Sequence, residues 1–136
     1  MLDLKKLIKV TKNEYASVVA DGTFNDIKMR YSTGSYILNA LLSADIFGGF
    51  PNNRIISFNA PPASGKSYIA QSCAVQFLNA NPNNMVVYVD SEGTQDKDTL
   101  TAMGLDAKRT VLLPVQTIED LQFQVLKILG MLKDIG

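Results

Sequence analysis

Leu4, Leu7, Ile8, Thr11, Tyr15, Val18 and Val19 recur at helical spacing with Lys5, Lys6, Lys9 and Lys12 on the other side, so residues 2–20 read as one amphipathic helix. Asp21-Gly22 ends it. The apolar stripe must be buried against its own domain or a neighbouring chain, and periodicity does not choose between them. After a polar connector, Ser35 is placed to cap a short helix over residues 36–42 by accepting from its first free amides. Gly48-Gly-Phe-Pro-Asn-Asn53 then reads as a turn.

From Arg54 the pattern changes. Ile55-Ile-Ser-Phe58 is an apolar run that reads as a strand, followed by a small-residue loop and a helical stretch from Lys66 to about Leu78. Beyond a polar turn at 79–84, Met85-Val-Val-Tyr-Val89 is apolar throughout, as a strand covered on both faces should be. Residues 96–104 look helical and stop at Gly104, and Val111-Leu-Leu-Pro-Val115 gives a third strand. Thr117 opens a last helix with Ile118, Leu121, Val125, Leu126, Ile128, Leu129 and Leu132 on its buried side, and Thr117 with Asp120 resembles a capping box. Strand alternating with helix predicts an α/β fold with a parallel sheet.

Composition narrows the chemistry. The 136 residues are 46% hydrophobic, enough for one domain with a core. Thirteen Lys and Arg balance thirteen Asp and Glu, so no overall basic field points to nucleic acid. The first 31 residues carry six basic and four acidic side chains, and the lysines of the first helix read as a solvated face. The absence of histidine excludes Ser-His-Asp and Cys-His nucleophilic machinery and the commonest zinc sets. Cys73 alone cannot form an internal disulfide and reads as a packing residue of a protein in a reducing compartment. The start is not a secretory signal, and no run approaches the roughly 18 apolar residues of a membrane span, so the expectation is a soluble cytoplasmic protein.

One motif carries chemistry. Ala60-Pro61-Pro62-Ala63-Ser64-Gly65-Lys66-Ser67 fits the phosphate-binding loop G-x-x-x-x-G-K-[ST], with alanine in place of the first glycine. Backbone amides of such a loop, continuing into the positive end of a helix dipole, can wrap a phosphate. Lys66 would reach the β and γ phosphates of ATP and the Ser67 hydroxyl would ligate Mg²⁺. Pro61 biases Ala60 toward extended backbone, which alanine tolerates, whereas a positive φ there would cost about 1 kcal/mol or more.

In parallel α/β sheets ligands lie outside the carboxyl ends of the strands, which places Asp90 and Glu92 at the same edge. One reading has Asp90 hold Mg²⁺ through water, another makes Glu92 the base that orients an attacking water, and a third leaves both as solvated acids capping the next turn.

Ser32-Thr-Gly-Ser35 with Leu38-Asn-Ala-Leu41, Gly48 to Ile55, the loop, Tyr88-Val-Asp-Ser-Glu92, Leu100 to Asp106 and Leu113 to Leu121 together resemble the RecA family of strand-exchange recombinases, its tailed-phage members above all. The resemblance implies a RecA-like P-loop NTPase core, with a DNA-dependent ATPase that acts in recombination and repair as a filament on single-stranded DNA. It divides the chain into an N-terminal helix and connector at 1–31, similar to an arm that docks on the adjacent subunit of a homo-oligomer, and a partial ATP-binding core at 32–136. It makes Glu92 the activator of the hydrolytic water and sets Asp96 where family members contact adenine, with Thr99 where a stacking tyrosine is usual. Family members continue with an apolar strand ending in an acid, the later Walker B strand, and then DNA-binding loops. The chain is therefore expected to be one piece of a larger domain, its DNA contacts supplied beyond Gly136, in a bacterial cytoplasm if phage-encoded. The other readings are a RecA-core motor such as a replicative helicase, a small-molecule P-loop kinase, and an inactive nucleotide-binding module.

Overall fold

The computed structural model describes residues 3–23 and 25–135, with the side chains of 134 and 135 left aside. Helix α1 spans Leu4–Thr11 and is capped by Asp3, whose carboxylate accepts from the Lys5 amide at 3.0 Å. It is less than half the length the periodicity predicts. Lys12 turns into the left-handed region at φ 51°, and the Asn13 side chain accepts from the Tyr15 amide at 2.9 Å, which closes a turn where the helix would continue. Only the 3₁₀ turn Val19–Asp21 follows, and the expected start at residue 2 lies outside the described residues. The α1 lysines are exposed, as a solvated face requires, but so are Leu4 and Leu7.

Two short antiparallel strands, β1 (Arg30–Tyr31) and β2 (Phe50–Pro51), flank helix α2 (Tyr36–Ser43). β2 occupies part of the stretch that reads as a turn. Ser35 caps α2 as its position predicts, accepting from the Leu38 amide at 3.4 Å. A buried amide organises this part. Asn39 Oδ1 accepts from the Thr33 amide and hydroxyl, both at 2.8 Å, and its Nδ2 donates to Ser32 Oγ at 3.1 Å and to the Ile46 carbonyl at 2.9 Å. The unit docks on helix α3 (Lys66–Ala80) through Tyr31 against Phe77, ring centroids 4.9 Å apart, and through Ser72 Oγ donating to the Thr33 carbonyl at 2.8 Å.

Strands β3 (Val86–Asp90) and β4 (Thr110–Pro114) pair in parallel, Val86 opposite Thr110 and Asp90 opposite Pro114. Helix α4 (Lys97–Ala102) lies between them in sequence, and Gly104 at φ 93° follows its end. Leu78 of α3, Leu100 of α4 and Leu105 form the buried core, with Ala74, Val75, Val86, Tyr88 and Leu112 packed on it. Arg109 ties α3 to the sheet: its guanidinium pairs with Asp106 at 2.8 Å and donates to the carbonyls of Leu78, Asn81 and Pro82, satisfying the end of the helix. Cys73 is half-buried, and burial pushes its thiol up, in keeping with a packing role.

The fold is thus α/β with a small parallel sheet, but three expectations change. Ile55–Phe58 forms no strand: Ile55 and Ile56 are exposed, and neither edge of the β3–β4 pair takes the segment up, without which no strand exists. β3 is covered on one face only, because Val87 and its neighbour Val111 on β4 stay exposed. Helix α5 (Ile118–Ile135) begins as read, with the Asp120 amide donating to Thr117 Oγ1 at 3.1 Å, yet Ile118, Leu121, Leu126, Leu129 and Leu132 of its intended inner stripe are exposed. The accessible surface of 10714 Å² is about half as large again as the roughly 7000 Å² of a folded monomer of this mass. Much apolar surface is therefore open to another element or chain.

Candidate functional site

The loop at 60–65 owes its path to two left-handed residues, Ala63 at φ 58° and Gly65 at φ 86°. A Cβ on Gly65 would meet nothing within 4 Å, so glycine serves there for its backbone conformation and not for space. Ala60 has no positive φ, and alanine replaces the first glycine of the motif without strain. Ser64 Oγ donates to the Pro61 carbonyl at 2.7 Å, closing the loop on itself. Gly65 is the N-cap of α3 and brings no side-chain acceptor, so the first amides of the helix are left to an outside partner. Lys66 folds back over the loop, its Nζ donating to the carbonyls of Ala60 at 3.0 Å and Pro61 at 2.9 Å. Ser67 is exposed on the first turn, and Pro62 lies in the exposed turn between Pro61 and Ala63.

The second group follows β3. Asp90 is 7% exposed, and its carboxylate is spent on the backbone: Oδ1 accepts from the amides of Glu92 and Gly93, both at 3.0 Å, and Oδ2 from that of Gln95 at 2.9 Å. These bonds, that from Gln95 foremost, hold its carboxyl below the usual carboxylate value. Asp90 thus caps the turn after β3 from within and is not a solvated acid. Glu92 is exposed on that turn. Asp96 is the N-cap of α4, its carboxylate accepting from the Thr99 amide at 2.7 Å, and the same bond lowers its pKa.

A link between the groups was not legible in the motif. Gln71 lies one turn beyond Ser67, is 5% exposed, and donates from Nε2 to Gln95 Oε1 at 2.9 Å and to the Tyr88 hydroxyl at 3.2 Å. The signal available in the sequence is a glutamine in the same helical stripe as Ala74, Val75 and Leu78, the stripe that meets the core. Among the described residues no group of three or more His, Cys, Asp and Glu side chains gathers to hold a metal. None of the described helices is long and apolar enough to cross a membrane.

The family model described as RecA N-terminal domain matches residues 4–136. The chain is 28% identical over 126 residues to a recombination and repair protein of Enterobacteria phage T4, covering 92% of this chain and 32% of that protein. It is 33% identical over 76 residues to Protein RecA of Mycoplasmopsis pulmonis, covering 56% of this chain and 21% of that one. The chain spans about a third or less of the length of these relatives. With that domain matched from the first helix to the last residue, the chain belongs to the RecA family.

Proposed function

We propose that this chain is the ATP-binding part of a RecA-like P-loop NTPase core in a recombination and repair protein that hydrolyses ATP as a filament on single-stranded DNA. The observation that carries the reading is the loop at 60–65 running through a left-handed Gly65 into the uncapped start of α3, with the Lys66 ammonium over it. Free amides, a helix N-terminus and a mobile point charge are what a polyphosphate needs, so the residues present fit ATP. Two neutral carbonyls are the partners of Lys66, and a phosphate competes well against them because it adds the attraction of opposite charges to the hydrogen bond.

Mg²⁺, when bound, would supply positive charge that offsets the charge developing on the phosphates. Ser67 is the residue that would hold it. Asp90 already supplies three bonds to its own turn, so its part is to hold the residues that follow and, at most, to meet the ion through water. Glu92, on the turn so held, would orient the attacking water and take its proton. Asp96, at the start of α4, would contact the adenine of the nucleotide. The exposed stripe of α1 suits an arm laid on a second copy of the chain in a homo-oligomer.

ATP hydrolysis by the full natural protein, measured with and without single-stranded DNA and paired with electron microscopy, tests this reading. Turnover that rises with DNA and accompanies filaments is expected. Ring assembly with duplex unwinding would favour a helicase-type motor, and nucleotide binding without turnover on any DNA would leave an inactive module.

A further inference from the structure

Resting on the ATP-binding reading above, we propose that Gln71 is a positioning residue: its amide bridge to Gln95 fixes the turn that carries Glu92 against the helix that carries Lys66 and Ser67. The bridge joins two segments 24 residues apart in sequence. Gln71 follows Ser67 by four positions and so stands on the same face of α3, one turn further in. Gln95 is held at both of its ends, its backbone amide by Asp90 and its side-chain carbonyl by Gln71. The path Ser67, Gln71, Gln95, Asp90, Glu92 is therefore helix and hydrogen bond throughout.

The chemistry of the side chain supports this assignment over packing alone. Gln71 faces the core in the stripe of Ala74, Val75 and Leu78, where leucine would serve hydrophobic burial better. A primary amide buried there is tolerable only when its hydrogens are satisfied, and both are, by Gln95 Oε1 and the Tyr88 hydroxyl. The geometry spends those two bonds on the end of β3 and on the turn after it, which is where the proposed base must be placed accurately. A shift of α3 on binding phosphate is carried to Glu92 through Gln95.

The test compares Gln71→Leu and Gln95→Leu, which break the bridge, with Gln95→Glu, which keeps an acceptor for Gln71 Nε2. In the full protein, the two leucine variants should lose about tenfold to hundredfold in kcat for ATP hydrolysis with KM nearly unchanged, and Gln95→Glu should recover most of the loss. In the unaltered protein, Mg·ADP should move the backbone amide resonances of Glu92 and Gly93 along with those of Lys66 and Ser67. In the leucine variants only the latter should move. Gln95 lies at a half-buried position, so Gln95→Leu carries the test if Gln71→Leu does not fold. Wild-type kcat in either folded leucine variant, or Glu92 and Gly93 shifts that persist in them, would overturn the bridge's role. Loss of turnover that Gln95→Glu fails to rescue would also overturn it. No shift at Lys66 and Ser67 in the unaltered protein would instead bring down the ATP-binding reading, and this proposal with it.

Discussion

Lys66 Nζ lies 2.9 Å from the carbonyl oxygen of Pro61, so the lysine of the loop closes the loop it stands beside. The same ammonium can serve the loop or a phosphate, and the exchange retains a satisfied charge at every stage. Replacing Lys66 with alanine should weaken Mg·ATP binding by about tenfold to hundredfold, the worth of one charged hydrogen bond at about 1.5–3 kcal/mol. Titration calorimetry on the variant and the unaltered chain measures it.

Glu92 separates binding from turnover. Because it stands on the turn after β3 and outside the loop at 60–65, Glu92→Gln should leave Mg·ATP affinity within about twofold while abolishing hydrolysis. Single-turnover assays with the full protein decide it, and retained hydrolysis would remove Glu92 from the base role.

The turn at 91–95 should loosen in acid. Asp90's carboxyl is held below its ordinary value of 3.8, first by the Gln95 amide, then by those of Glu92, Gly93 and Thr94. A folded pKa below the unfolded one contributes stability that is fully present above that ordinary value and is lost as pH falls through the depressed one. Hydrogen exchange at the Glu92, Gly93 and Gln95 amides should stay protected from neutral pH down to 3.8 and lose protection below it. In Asp90→Asn the protection should be weak at every pH.

Asn39 is the structural test. It is 1% exposed and serves four hydrogen bonds among Thr33, Ser32 and Ile46. Asn39→Ala leaves several of those groups orphaned, each costing about 1–3 kcal/mol, so a loss of about 3 kcal/mol in urea unfolding is expected. A loss under about 1 kcal/mol would show that water replaces the amide.

What the sequence discloses is local. The caps at Ser35 and Thr117, the break at Gly104, and the α3–β3–α4–β4–α5 order all follow from rules that act within a few residues, and the structure bears them out. The misreadings need distant partners. Ile55–Phe58 has strand composition but among the described residues no strand pairs with it, and the stripes of α1 and α5 have the right period but leave Leu4, Leu7, Ile118 and Leu126 exposed. α1 stops early because Lys12 and Asn13 choose a turn, which a helical stripe running through Tyr15 conceals. At the site, the loop residues are contiguous and legible. The Gln71–Gln95 bridge and the capture of Asp90 by its own turn depend on where β3 lies against α3, which spacing does not encode.

The central claim is that the loop at 60–65 and the start of α3 bind the phosphates of a nucleotide. Backbone amide resonances of the full chain, followed as Mg·ATP is added, test it most directly. The account predicts saturable shifts that are largest from Ala63 to Tyr68 and that need about tenfold to hundredfold more Mg·ATP in Lys66→Ala. Shifts that never saturate, or that centre away from this loop and need no more Mg·ATP in Lys66→Ala, would contradict it.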